Sequence, residues 1–226
     1  MIVLAILGIL LGMFLPAVQN SPDASPRTHC LNNLRQISLA MLNYASANGH
    51  FPPASVADKN GKPMHSWRVL LLPYLEQDDL YYRYSMDEPW DGPNNSKLHN
   101  EIVDIYRCPS SASPAHCSDY AVVTGKGTGF DGDQTIGHGD ITDGSSNTIM
   151  VVEVFGPDHH WMEPKDISVE QLLSPSPEEV KPNHPRSRNV SLFDGSTYSI
   201  STDIPVEQMR KLVLIADGEI VDITDL

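Results

Sequence analysis

Positive charge is scarce in this sequence. Lys and Arg number 15 against 29 Asp and Glu, leaving a net charge of −14. Nucleic-acid binding needs clustered Lys and Arg against phosphate, and an anionic lipid surface attracts the same sign, so neither is expected as a partner of the folded surface. Cysteine is rare as well. Cys30, Cys108 and Cys117 form no Cys-x-x-Cys pair, so the spacing of a zinc ribbon or a redox dithiol is missing. There is no phosphate-binding loop and no dinucleotide fingerprint. Ser145 and Ser146 lack the Gly-x-Ser-x-Gly elbow of a triad hydrolase. No charged residue precedes Asp23, so the basic opening of a secretory signal peptide is absent too.

The chain has 226 residues, enough for one moderate domain plus an anchor, and its 40% hydrophobic content argues against wholesale disorder. Its first 18 residues, MIVLAILGILLGMFLPAV, are almost wholly apolar. As a helix at about 1.5 Å per residue they reach roughly 27 Å, close to the ~30 Å hydrocarbon thickness of a bilayer. Exposing that surface to water would cost several kcal/mol, and the following PAVQNS is a poor cleavage signal. A transmembrane or spine helix is therefore expected over 1–18, with Arg27 and Arg35 following it. The stretch NSPDASP, with Pro22 and Pro26, reads as a linker over 19–27. Residues 28–226 then form an extracytoplasmic domain, anchored to an inner membrane and facing the periplasm or the cell surface.

From Thr28 to Asn48 the spacing predicts an amphipathic helix: Leu31, Leu34, Ile37, Met41 and Tyr44 recur at steps of three and four, while Asn33, Arg35, Gln36 and Asn43 face elsewhere. Gly49 then stops the helix, and Pro52 and Pro53 prevent its continuation. The segment His65–Tyr84 predicts two short helical turns around Pro73, with Trp67, Leu70, Leu71, Leu72, Tyr74 and Leu75 mostly in the core. Ser118–Thr124 and above all Asn147–Phe155, rich in β-branched residues, predict strands. Ile167–Asn183, with three prolines, predicts an exposed irregular stretch. Two segments near the C-terminus, NVSLFDGSTYSIS and KLVLIADGEIVDI, predict hairpins centred on Asp194-Gly195 and Asp217-Gly218, joined by a short helix over 205–211. The class implied is α+β, with the helix packed on an antiparallel sheet.

These blocks, in this order, resemble a large bacterial family of pilin-like proteins with a prepilin-type N-terminal segment and a C-terminal H-x9-D-G motif. The resemblance is carried by CLNNLRQISLAMLNY at 30–44, GHFPPA at 49–54, SWRVLLLPYLEQDDLY at 66–81, CPS at 108–110, YAVVTG at 120–125 and ITDGSSNTIMVVEV at 141–154. His184, followed nine residues later by Asp194-Gly195, supplies the signature. The resemblance implies a type IV pilin-like (pseudopilin-like) fold, with partners that are like subunits or a homo-oligomer, and a role in assembly, secretion or surface interaction rather than catalysis. Residues 1–18 depart from it in carrying neither the Gly-Phe cleavage point nor the early Glu of pilin assembly. Pro22 and Pro26 stand where the family continues the helix.

Four groups of residues are candidates for chemistry. His184, Asp194 and Gly195 read either as a hairpin anchor and turn or, in a secreted hydrolase, as an acid/base pair. Asp131, Asp133, Asp140 and Asp143 offer carboxylates at spacings that suit calcium, although the EF-hand register is absent; this alternative is an extracytoplasmic calcium- or carbohydrate-binding module. Cys108 and Cys117 flank CPSSASPAHC and are placed to close it as a disulfide, the other reading being three reduced thiols. Asp158, His159, His160 and Glu163 read as surface residues beside Trp161, since adjacent histidines on a strand point apart.

Overall fold

The fold is taken from a computed structural model that describes residues 24–156, 158–174 and 182–223. The predicted spine helix over 1–18 lies outside these residues. No helix among the described residues is long and apolar enough to cross a membrane.

The first described element is a long helix, α1 (Ala24–Asn48). It begins four residues earlier than its apolar periodicity indicates, so residues 24–27 are helical rather than linker. The helix ends at Gly49, which takes φ +81° and donates its amide to Ala45 at 2.8 Å. Cys30, Leu34, Ile37, Met41 and Ala45 make its buried stripe. Asn33, expected on the exposed side, is buried as well, and its amide group donates to the carbonyl of Arg107 at 2.8 Å.

A small antiparallel pair follows, β1 (Ser55–Ala57) with β2 (Pro63–Ser66). Next come the short helix α2 (Trp67–Leu70), a 3₁₀ turn at Leu72–Tyr74 on Pro73, and α3 (Asp78–Arg83). The main sheet has four antiparallel strands in the order β3 (Tyr120–Ala121), β5 (Ile149–Glu153), β7 (Ser187–Leu192) and β8 (Thr197–Ser201). A second, parallel pair joins β4 (Val123–Thr124) to β6 (Ile167–Ser168). The molecule is thus α+β with antiparallel sheets.

The main sheet is covered on both sides. One face, with Tyr120, Val151 and Phe193, packs against Leu34, Ile37 and Met41 of α1. The other, with Ala121, Val152, Val190, Leu192 and Ile200, packs against α4 (Val169–Leu173) and α5 (Val206–Val213) through Leu172, Met209 and Leu212. Every residue of β5 is buried, which explains why its first four residues, 149–152, form a continuous apolar run rather than an alternation.

Two predicted elements take other forms. The stretch 167–174 is ordered: Ser168 caps α4 by accepting from the Gln171 amide, while the Gln171 side chain accepts from the Ser168 amide. The hairpin around Asp217-Gly218 does not form. Residues 211–213 complete α5, burying Leu212 and Val213, and no strand follows Leu214 among the described residues. The Asp217 and Gly218 amides donate instead to the carboxylate of Asp143, at 2.7 and 2.9 Å. The hairpin around Asp194-Gly195 does form, with Val190 opposite Tyr198.

Candidate functional site

The C-terminal motif divides between two places. Asp194 is exposed on the hairpin, where its Oδ1 accepts from the amide of Ser196 at 2.8 Å and from its hydroxyl at 2.5 Å. This is a turn-stabilising use of a carboxylate. Gly195 has φ +87°, a conformation that calls for glycine, and it lies close beneath Leu42 of α1. His184 is elsewhere, 1% exposed beneath the α1 face of the sheet. Asp194 and His184 are not brought together as an acid/base pair.

What His184 meets is a cluster drawn from four parts of the fold. Its partners are Cys30, Cys108 and Glu153, and one ligand-type atom from each of the four residues lies within 4.8 Å of all the others. Cys30 arrives on the buried stripe of α1. Cys108 is held at the start of its loop because its amide donates to Asp119 Oδ2 at 2.8 Å, while Ser111 donates to the other oxygen at 2.6 Å. Glu153 ends β5; its neighbours Val152 and Val154 face the α5 side, so its own side chain turns toward α1. The Cys108 sulfur lies 3.5 Å from His184 Nε2, and that nitrogen lies 3.5 Å from Glu153 Oε1. All four residues are at most 1% exposed.

The carboxylate is oriented from behind. Asn189 donates its side-chain amide to Glu153 Oε2 at 2.8 Å, and Asn183 donates to Oε1 at 3.0 Å. Tyr120 donates its hydroxyl to the Cys30 carbonyl at 3.4 Å. Hydrogen bonding to Cys30, together with burial and the nearby Glu153, pushes the Cys108 thiol far above its ordinary range. An activated nucleophilic cysteine needs the opposite, a lowered pKa and an open approach. Two thiols, an imidazole and a carboxylate within 4.8 Å of one another are also a donor set of the kind that ligates a cation.

Cys108 is therefore turned toward Cys30 and away from the predicted bridge. Cys108 and Cys117 are both unbonded thiols, and Cys117 sits instead in a backbone bridge with His160. The four Asp residues do not converge either. Asp143 is committed to the Asp217 and Gly218 amides, and Asp140 accepts from the Gly137 amide at 2.7 Å. Asp133 is exposed, and Asp131 borders an open cleft of about 490 Å³ shared with Thr124, Lys165, Ser168 and Glu170.

The paired histidines are less exposed than expected. His159 is 4% exposed, and His160 stacks on His116 with ring centres 5.3 Å apart and lies tilted against His99 at 4.8 Å. His160 Nδ1 accepts from the Met162 amide and Nε2 donates to the His99 carbonyl, so the neutral ring uses both nitrogens. Burial pulls His159 down to about 3 and His160 down to about 4. Both stay neutral in the fold while the unfolded chain protonates them near pH 6.5, so the stability they contribute is present above 6.5 and is lost as the pH falls toward 4. Urea denaturation at stepped pH should show a decline on the order of 2 kcal/mol across that window. Nitrogen chemical shifts should still report a neutral His160 ring at pH 5.

Sequence spacing did not reveal the four-residue cluster, because its members are dozens of positions apart. Two signals were available: a cysteine on the buried stripe of α1, and a glutamate inside an otherwise apolar strand. No curated protein and no solved structure matches the chain. Residues 23–134, just under half of it and including Cys30 and Cys108, match the model of a bacterial family described as Protein of unknown function (DUF1559).

Proposed function

We propose that this chain is a non-enzymatic, membrane-anchored, pilin-like envelope protein whose acidic head serves assembly, secretion or surface contacts outside the cytosol. One observation carries this reading: in the sequence the apolar run 1–18 precedes a 25-residue helix, α1, that lies along the main sheet as a stem. An apolar segment feeding such a stem suits lateral packing with like helices, in lipid or in a fibre core. The net charge of −14 keeps the heads soluble and sets the sign of any partner patch.

A second reading, a binding module for a small polar ligand such as a carbohydrate, is favoured by the cleft beside Asp131, whose rim offers Thr124, Lys165, Ser168 and Glu170. The two separate on fractionation. The full chain should sediment with membranes and require detergent, while a chain lacking 1–18 should remain in the supernatant and lose any cross-linked oligomers. A full chain that disperses freely without detergent would end the anchored reading. A Tm raised by sugars or by millimolar calcium would favour the binding module.

A further inference from the structure

We propose that Cys30, Cys108, Glu153 and His184 form a closed, four-coordinate zinc site that clips α1 to the main sheet. The donor set suits zinc, which accepts thiolate, imidazole and carboxylate together in one tetrahedral shell. The geometry suits it as well. With Zn–S near 2.3 Å and Zn–N or Zn–O near 2.1 Å, the edges of a zinc tetrahedron are about 3.6 Å between S and N and about 3.4 Å between N and O. The corresponding separations are 3.5 Å from Cys108 Sγ to His184 Nε2 and 3.5 Å from that nitrogen to Glu153 Oε1.

Four protein donors and near-complete burial leave no coordination position for water, which marks a structural site rather than a catalytic one. The outer contacts are those such a site needs. Asn183 and Asn189 fix the carboxylate, and Asp119 fixes the Cys108 backbone. Binding converts two thiols into thiolates and releases their protons to solvent, so the ligands carry −3 and the loaded site −1. The guanidinium of Arg188 on β7, within electrostatic reach of Glu153, offsets that residual charge.

The competing chemistry is a Cys30–Cys108 disulfide, which the same approach of the two sulfurs would permit in an oxidising compartment. It would leave His184 and Glu153 facing a bridge that uses neither. A disulfide holds two points of the chain, whereas a zinc ion holds four: α1, the Cys108 loop, β5 and the segment entering β7.

The test uses the full chain, purified in detergent without chelator or added reductant. Metal analysis should find one zinc per chain, and thiol titration of the chelated, unfolded protein should count three free thiols. Replacing the metal with cobalt should give the intense visible bands of a tetrahedral ion and a thiolate-to-cobalt charge-transfer band. Cys108→Ser and His184→Gln should each lower zinc content at least about tenfold at limiting zinc, as outer-sphere and ligand losses do, while Cys117→Ser should leave it unchanged. Should either variant fail to fold, the cobalt spectrum of the unmutated chain still decides. A single free thiol with no zinc, an octahedral cobalt spectrum, or copper or iron in place of zinc would each overturn the proposal.

Discussion

Replacing Asp166 with alanine should lower the unfolding free energy by about 3–5 kcal/mol, the cost of leaving a buried charge without its partner. The stranded charge is Arg68 of α2, which is fully buried. Its Nη2 donates to Asp166 Oδ1 at 2.8 Å and to the Tyr120 carbonyl at 2.8 Å, and its Nε donates to the Ser118 hydroxyl at 3.1 Å. Asp166 also accepts from Trp67 Nε1, at 3.1 Å to each oxygen, and from the Val122 amide at 3.0 Å. One carboxylate thus satisfies donors from α2 and from the link between β3 and β4. Paired loss should be cheaper than single loss: Arg68→Met with Asp166→Leu should cost less than Asp166→Ala alone, because an apolar pair of similar volume strands no charge. Urea denaturation of the two single variants and the double variant measures the coupling. A single-variant cost below about 1 kcal/mol would mean that Arg68 reaches water once its partner is gone.

That ion pair shows where reading from sequence reaches its limit. Trp67, Leu71 and Leu72 were legible as core because they are large and apolar, but Arg68 between them carries no mark of burial. Its partner lies 98 positions away, and only the folded chain joins them. The same applies to Cys30, Cys108, Glu153 and His184. Local physics was legible: the α1 stripe, its stop at Gly49, strand β5 and the Asp194-Gly195 turn each depend on neighbours within a few residues. The second Asp-Gly turn failed for the same reason the first succeeded. Asp194-Gly195 lies between two segments that pair with each other, whereas the segment before Asp217-Gly218 was already committed to α5, whose Met209, Leu212 and Val213 cover the far face of the sheet. Turn chemistry permits a hairpin but does not supply a second strand. In the segment after β6, the prolines at 175, 177 and 182 obscured a legible signal, Ser168 with Gln171 three residues on.

Phe193→Ala should be comparably costly, at about 3–5 kcal/mol, because it removes the ring on which three separate segments meet. Phe193 is fully buried immediately before Asp194. Its ring stands edge-on to Phe51, after α1, with centres 5.0 Å apart, and stacks on Phe130 at 5.7 Å. The ring also lies against Gly129, where a Cβ would come 2.4 Å from Phe193 Cζ. Phe193→Leu, which keeps much of the volume, should cost only about 1–1.5 kcal/mol. Tm and urea midpoints of the two variants check the ordering, and equal costs would show that ring contacts rather than filled volume hold the three segments together. The residues between His184 and Asp194 then have a physical reason for their arrangement: β7 carries the chain from the buried cluster of Cys30, Cys108, Glu153 and His184 at one end to an aromatic junction at the other, both beneath α1. Weakening either end should loosen α1 from the sheet.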